Sequence, residues 1–353
     1  MFKNFVKIIL LIVNIVVVIA MLIPAFSQYF PPSEFPFLSY FGLFFLPLVL
    51  LNVFFALFWI IKLKIYAAIP IIAILLVSGD IRTSFSLFKQ KQENTETGVK
   101  VLTYNVMLFN YYDKKSKTID YINNSGADIV CLQEFGWHRN GKEFLSKEKI
   151  ISSLTNYPYY HINIALDEQN VTYGIATFSK FPIINKQLID YESYFNSSIY
   201  SDLKIGNDTI RVFNNHLESN RLSKKEKEKL VEKMDSEIIN QMTKKMSVAA
   251  AIRAKQANTI AGEIDKSPYP VIVCGDFNDI AVSYSYKKIS KNLQDTFIGS
   301  GKGLGITFSD KQYRFRIDYI LLNQNFKYYE YHIDKVTYSD HYPVFCNVMK
   351  ILK

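Results

Sequence analysis

Two apolar runs near the amino terminus constrain the fold most. Phe5 to Phe26 is interrupted only by Lys7, Asn14 and Pro24, and Phe37 to Ile61 carries no charge. Each exceeds the roughly 20 residues that a helix needs to cross a hydrocarbon core of about 30 Å, so both read as membrane spans. A third run, Ile65 to Gly79, is shorter and holds Pro70. It reads as a third span, with a re-entrant or interfacial segment as the alternative. The first run is too long for the apolar stretch of a cleaved signal peptide, and a second span follows closely, so it reads as an anchor. Lys3 and Lys7 precede the first span and Lys62 and Lys64 follow the second, whereas the loop from Ser27 to Pro36 has no Lys or Arg. That asymmetry predicts a cytoplasmic amino terminus. With three spans, the remainder of the chain lies on the extracytoplasmic (periplasmic) side.

After Lys100 charged and apolar residues mix as they do in a globular protein. Residues 1–82 therefore read as a membrane anchor of two to three helices, the polar stretch 83–99 as a linker, and 100–353 as the soluble domain. Of 41 Lys/Arg and 32 Asp/Glu, seven and four fall within residues 1–99, leaving 34 against 28 beyond them, an excess of +6. Such a mild excess favours an anionic partner only weakly: a phosphate compound, nucleic acid or a membrane surface. Cys131, Cys274 and Cys346 show no CxxC spacing. That argues against a disulfide framework or a zinc site and for small core residues.

In the soluble part, strand-like runs (VLTYNV, DIVCLQE, YYHINI, YGIATFS, IYSDLKI, TIRVFNNHL, VIVCGDFN, RIDYILL, YYEYHIDKV, HYPVFCNV) alternate with helical stretches. The latter lie around Ser116 to Ser125, Lys142 to Leu154 and Leu222 to Ile264. The segment Ser223 to Met246 carries both signs of charge and reads as a solvated helix. Buried sheets covered by helices, a layered α/β sandwich, account for this pattern.

Polar groups recur at the strand ends. Asn105 ends VLTYN, Glu134 ends CLQE, His216 follows VFNN, and Asp276, Asn278 and Asp279 end VIVCGDFND. Asp318 sits in RIDYIL, and Asp340 with His341 begins the last strand. Each has a structural reading: a turn, an Asx motif, a helix cap, or a satisfied core histidine or carboxylate. The SDH stretch departs from this, since Asp340 and His341 share an exposed strand entrance just before a proline.

Taken in order, YNVMLF, CLQE, NNHLES, GDFND, RIDYIL and SDHYPV resemble the motifs of the endonuclease/exonuclease/phosphatase superfamily, from Lys100 to about Val348. YGIATFSKFPI is similar to the family's glycine-containing strand beside the substrate cleft. The resemblance implies a four-layer α/β sandwich, two packed β-sheets flanked by helices as in deoxyribonuclease I. It also implies a metal site at Glu134, with Asn105 and Asp340 nearby, directly or through water. Oxygen donors without sulfur suit Mg²⁺, with Mn²⁺ as a substitute.

By the same resemblance His341 is the general base or orients the attacking water, and Asp318 holds its ring in the useful tautomer. His216 bonds a phosphate oxygen or assists the leaving group, which points to the nuclease and sphingomyelinase-like branches. Asp276 contacts the nucleophilic water or a second metal position, and Asn278 donates to the scissile phosphate. On an extended segment residues two apart face the same way, which would bring Asp276 and Asn278 together and turn Phe277 and Asp279 elsewhere. Arg253 and Gln256 match an R-x-x-Q pattern and read as internal packing or hydrogen-bonding residues, and Asp295 and Thr307 as polar residues near the cleft or structural ones.

The implied function is a membrane-anchored, metal-dependent phosphoesterase that attacks a phosphodiester (nuclease-like) or phosphomonoester with water in line. A phospholipid head-group phosphodiesterase is one alternative, and it would explain tethering at a bilayer. A catalytically silent membrane-tethered binding module is the other.

Overall fold

Helix and strand separate along the chain as the two hydrophobic periods require. The structure, a computed structural model, describes residues 2–87, 98–110, 117–138, 146–168, 170–191, 193, 195–222, 226, 236–310 and 313–350. Most of the predicted linker (88–97), the starts of the helices predicted at Ser116 and Lys142, and most of 223–235 lie outside the described residues. The chain forms two compact units. The first comprises Met1–Phe85, Arg221–Ala254 and Ile280–Lys287, and the second holds the rest.

In the first unit, α1 (Phe2–Ser27), a 3₁₀ segment (Pro36–Phe44), α2 (Phe45–Ile61), α3 (Ala68–Leu76) and α4 (Ser78–Ser84) follow the apolar runs. Two helical stretches, Phe2–Ser27 and Pro36–Ile61, are long and apolar enough to cross a membrane, and the α3–α4 pair, bent by 59°, makes a third if it counts as one span. Pro70 does not break α3, because it lies in the first helical turn, where its missing N–H has no intrahelical acceptor to lose. Phe5, Ile12, Val16, Phe54 and Leu57 are each more than half exposed, an apolar surface that suits lipid rather than water. Two asparagines are buried inside the helices. Asn14 Oδ1 accepts from Trp59 Nε1 at 3.1 Å, and Asn52 Nδ2 donates to Leu48 O at 2.9 Å. At one end of the helices Lys7 Nζ lies 4.9 Å over the Tyr66 ring, and at the other Gln28 Nε2 donates to Asp80 at 2.9 Å.

The second unit begins with β1 (Val99–Asn105), α5 (Lys117–Asn124), β2 (Ile129–His138), α6 (Lys147–Ser153), β3 (Tyr159–Asp167) and β4 (Val171–Ser179). It continues with β5 (Ile183–Ile189), β6 (Ser198–Ile205), β7 (Asp208–His216), α7 (Ser236–Asp265, shared with the first unit) and β8 (Val271–Asp276). The last strands are β9 (Gln294–Asp295), β10 (Phe308–Ser309), β11 (Arg314–Phe315), β12 (Asp318–Leu322), β13 (Phe326–Ile333) and β14 (Val344–Lys350). Two mixed six-stranded sheets result, ordered β13-β14-β1-β2-β4-β3 and β5-β6-β7-β8-β12-β9. Each contains one parallel pair, β1 with β2 and β7 with β8. A parallel pair needs a crossover, and α5 and α7 lie in those connections. Helices flank the sheets, as the expected four-layer sandwich requires.

Val101, Ile129, Val344 and Cys346 of the first sheet pack with Val212, Ile272, Cys274 and Ile320 of the second between the two sheets. All three cysteines are free and buried, as their apolar surroundings predicted. On the first sheet's outer face, Ile119 and Ile122 of α5, Ile150 of α6 and Leu154 just after it cover Leu102, Leu132 and Phe178.

Gly275 (φ +136°) lies where β8 passes closest to β7. A Cβ there would sit 2.0 Å from Asn215 O, a backbone atom that cannot swing aside. Gly262 is in the interior of α7, and a Cβ added to it would meet nothing within 4 Å. Gly275→Ala should therefore destabilise the protein by about 3 kcal/mol, whereas Gly262→Ala should stabilise it by about 0.5–1 kcal/mol. Thermal unfolding of both full-length variants in detergent checks this; equal melting temperatures would refute it.

Candidate functional site

The carboxyl ends of the two parallel pairs meet at one end of the sandwich. In the second sheet, register alone aligns three polar residues: His216 pairs with Asp276, and Asp276 with Asp318, across β7, β8 and β12. His341 closes the row, with Nδ1 2.9 Å from Asp318 Oδ2 and Nε2 3.6 Å from Asp276 Oδ2. His216 Nε2 lies 3.8 Å from Asp276 Oδ2 and 4.0 Å from Glu134 Oε1. From the first sheet, Asn105 Nδ2 donates to Asp276 Oδ2 at 3.0 Å and to Glu134 Oε1 at 3.3 Å. The structure thus brings Asn105, Glu134, His216, Asp276, Asp318 and His341 into one connected cluster. Asp340 adjoins it, since its charge acts on Glu134 and on His341.

Several local expectations are corrected. Glu134 does not end its strand. β2 runs on to His138, and its register shifts between Gln133 and Phe135, so Glu134 sits on a β-bulge with φ 50°. A bulge re-aims a side chain without ending the sheet, at some backbone strain. Asn278 is not extended either. β8 stops at Asp276, and Asn278 adopts φ 50°, a left-handed conformation that asparagine tolerates better than most residues. Its N–H donates to Asp276 Oδ1 at 2.8 Å, an Asx turn, and its Nδ2 donates to Leu217 O at 2.9 Å. Asp276 and Asn278 meet through this turn and not through strand alternation. Asp340 and His341 precede the last strand, which starts at Val344. His341 is 5% exposed, so the expected open strand entrance is a buried one, with the Phe308 ring 5.0 Å from its own.

Residues around the cluster serve the fold. Phe277 is fully buried against Tyr319. Gln256 is buried and its Oε1 accepts from Glu218 N at 2.9 Å. Asp295 pairs with Arg316 at 2.9 Å, and Thr307 Oγ1 accepts the N–H groups of Ile317 and Asp318, each at 3.1 Å. These last two acceptors are thus structural, and Thr307 fixes the start of β12.

Burial and charge separate the two histidines. Burial pulls His341 down, but the Asp318 and Asp276 carboxylates overcome it and raise the imidazole to about 10. Burial dominates at His216 and lowers it to about 4. Burial also raises Asp276. Glu134 is pushed up to about 7 by burial and then by Asp340, although 28% of its side chain stays exposed.

One set of groups is compact enough to be tested as a metal site, and a second is tested on its chemistry. Asp276, Asp318 and His341 bring donor atoms within 4.8 Å of one another. The 2.9 Å contact between His341 Nδ1 and Asp318 places a proton there, so this set fits a hydrogen-bonded relay better. Glu134 and Asp340 fit a hard cation: they repel each other, offer only oxygen, and pair with no Lys or Arg among the described residues. Asn105 turns its Nδ2 toward the carboxylates while its Oδ1 accepts from Met107 N at 3.1 Å. It would give its oxygen to a cation only with the amide rotated.

One residue of the cluster is not singled out as a site residue by the sequence. Tyr173, in β4, lies with its hydroxyl 3.3 Å from His216 Nδ1 and also hydrogen-bonds Glu134. Its stretch, YGIATFS, resembles the strand beside the cleft, which signals the strand but not this side chain, and the pairing of β4 beside the Glu134 bulge brings the hydroxyl to the site.

Residues 102–341 match the Endonuclease/Exonuclease/phosphatase family, and residues 7–84 match a domain of unknown function, DUF8431. No curated protein sequence matches the chain. Among solved structures, the endonuclease/exonuclease/phosphatase from Bacteroides vulgatus is 16% identical, over 72% of this chain and 100% of that one, with a TM-score of 0.53. The endonuclease/exonuclease/phosphatase from Beutenbergia cavernae is 14% identical over 72% of each chain, with a TM-score of 0.51. D. rerio TDP2 complexed with single-strand DNA product is 16% identical, over 72% of this chain and 100% of that one, with a TM-score of 0.51. At these identities the likeness is one of fold.

Tyr173→Phe removes one hydroxyl that links Glu134 to His216. It should lower kcat on a phosphoester substrate about tenfold, the scale for a group that orients others at a site. Stability should change by only about 1 kcal/mol. Turnover equal to the parent's would remove Tyr173 from the site.

Proposed function

Because the chain belongs to the Endonuclease/Exonuclease/phosphatase family, we propose that it is a membrane-anchored, divalent-metal-dependent phosphoesterase. It hydrolyses a phosphodiester or phosphomonoester by in-line attack of water. The observation that carries this reading is His341 held between Asp318 and Asp276, beside the Glu134 edge where oxygen donors gather without a cationic partner among the described residues.

In this reading Asp318 fixes the imidazole of His341 through Nδ1 and leaves Nε2 facing Asp276. His341, kept protonated between the two carboxylates, orients the attacking water, and Asp276 takes its proton. His216, kept neutral by burial, hydrogen-bonds a phosphate oxygen or the leaving group. Asn278 steadies Asp276 through its backbone N–H and turns its amide to the phosphate when it releases Leu217 O. Glu134 and Asp340, with Asn105 beside them, hold the cation, Mg²⁺ with Mn²⁺ as a substitute. A bound divalent ion neutralises phosphate charge and stabilises the charge that develops on the oxygens in the transition state.

Residues 100–353 form the catalytic domain and 1–82 the anchor. The contacts at both ends of the helices, Lys7 with Tyr66 and Gln28 with Asp80, support three crossings. With Lys3, Lys7, Lys62 and Lys64 in the cytoplasm, the catalytic domain lies outside. An inactive carboxy-terminal alkaline phosphatase fusion would reverse that topology. Single-stranded DNA, by fold analogy with the D. rerio protein, and phospholipid head groups are the substrates to compare.

The test is hydrolysis of bis-p-nitrophenyl phosphate, DNA, RNA and phospholipid by the full chain, with and without EDTA. EDTA and Glu134→Gln should each remove most turnover, and activity that survives both would defeat the metal assignment. His341→Ala should lower kcat by about 100-fold and Asp318→Asn comparably. The double variant should be little worse than either single one, since groups acting as a unit are non-additive. Multiplicative losses would separate the two residues.

A further inference from the structure

Leu217 lies between the site residue His216 and Glu218, just past the end of β7, and is fully buried. Its N–H donates to Asp276 O at 3.0 Å. Its carbonyl accepts from two side-chain amides at once, Asn278 Nδ2 at 2.9 Å and Asn196 Nδ2 at 2.9 Å. A carbonyl oxygen has two lone pairs, so each amide occupies one. All three residues belong to the second unit.

The two amides are held differently. Asn196 is 3% exposed and fixed through its neighbours: its N–H donates to Ser193 Oγ at 3.1 Å, and Ser193 Oγ donates to Glu218 Oε2 at 2.9 Å. The next residue, Ser197, takes His216 N on its carbonyl at 3.0 Å. The Oδ1 of Asn196 meets no donor among the described residues, so Nδ2 alone ties the side chain to Leu217. Asn278 is half-buried in the turn after β8, and besides Leu217 O its Nδ2 reaches Asp276 Oδ2 only at 3.5 Å. Of the two amides, that of Asn278 is the one that can leave. If it were the carbonyl's sole donor, leaving would strip a buried acceptor, which lowers the released population by about 5- to 150-fold. With Asn196 in place the carbonyl keeps a partner.

We propose that Asn196 is a positioning residue of the site: it keeps Leu217 O paired while the Asn278 amide turns to the phosphate, so that Asn278 exchanges one acceptor for another without leaving a buried oxygen bare. The strength with which Asn278 binds phosphate is then set in part by a side chain directed at Leu217 O instead. This rests on the reading of Asn278 above as a donor to the phosphate.

The experiment uses the full chain in detergent with Mg²⁺ and compares the parent, Asn196→Ala, Asn278→Ala and the double variant. Binding of inorganic phosphate is the first readout and kcat/KM on bis-p-nitrophenyl phosphate the second. Asn196→Ala should weaken phosphate binding and lower kcat/KM about fivefold or more, the lower end of the cost of an unpaired buried acceptor. Added to Asn278→Ala, the same change should alter neither by more than about twofold, because no amide is left to release and the two effects do not add. A purely structural Asn196 would cost the same factor in both backgrounds, and that result overturns the proposal. So does an Asn196→Ala variant that binds phosphate and turns over as the parent does. Asn196→Leu, which fills the space without a donor, takes its place if the alanine variant does not fold. Should Asn278→Ala match the parent in both readouts, the reading of Asn278 fails and Asn196 falls with it. A parent that binds phosphate but hydrolyses nothing defeats the reaction alone, and the binding comparison still decides Asn196. A parent that does neither overturns both.

Discussion

A carboxylate that is 1% exposed, Asp276, is the group on which the site and the closure of the sandwich both depend. An ionised acid at that depth costs several kcal/mol unless its surroundings compensate it. The compensation comes from four directions. Asn105 at the end of β1, His216 at the end of β7, the Asn278 N–H of the following turn and His341 ahead of β14 all reach it. Because these partners belong to both sheets, the sheets satisfy Asp276 only in one relative placement. The groups read here as catalytic are thus also the ones that hold this end of the fold together, so kinetics on their variants mean little without a stability measurement beside them.

The two buried histidines illustrate how little residue type says about state. His341 faces two carboxylates and holds a proton firmly; His216, at similar burial, is neutral. One cluster thus holds a charged ring and a neutral one, a difference made by the carboxylates that face His341 on both sides. Neither assignment follows from the sequence alone, since burial and partner geometry decide both.

What the sequence made legible was the ordering of strands, the apolar runs and the polar strand ends. These are set by local periodicity and by motifs a few residues long. Asn105, His216 and Asp318 fall at the strand ends where VLTYN, VFNNH and RIDYIL placed them. Glu134 and Asn278 were located but their geometry was not. A one-residue bulge and a left-handed turn leave no periodic trace in CLQEFG or GDFND, and both arise from pairing with strands distant in the chain. His341 looked exposed because its neighbours are polar, yet Phe308, thirty-odd residues away, covers it. Tyr173 was hidden for the same reason. Its strand resembled the one beside the cleft, but which of its side chains reaches the site depends on where β4 lies beside β2 and β7. The seating of Val282 among helices made from residues 18–73 is more remote still.

The first unit's discontinuity bears on how the protein is made. Its helices leave the ribosome first, but the unit also needs Arg221–Ala254 and Ile280–Lys287, the last of which follows Phe85 by roughly two hundred residues. Through most of synthesis the end of the helix cluster that receives Val282 stands open. The usual order, in which an amino-terminal domain finishes folding before the next emerges, does not apply to this chain. Completion of the first unit instead waits on later sequence, so a ribosome stalled before Ile280 would leave an unfinished helix cluster with apolar surface exposed at its end. Quality control of such nascent chains would have to act on the helix cluster, before the second unit is complete.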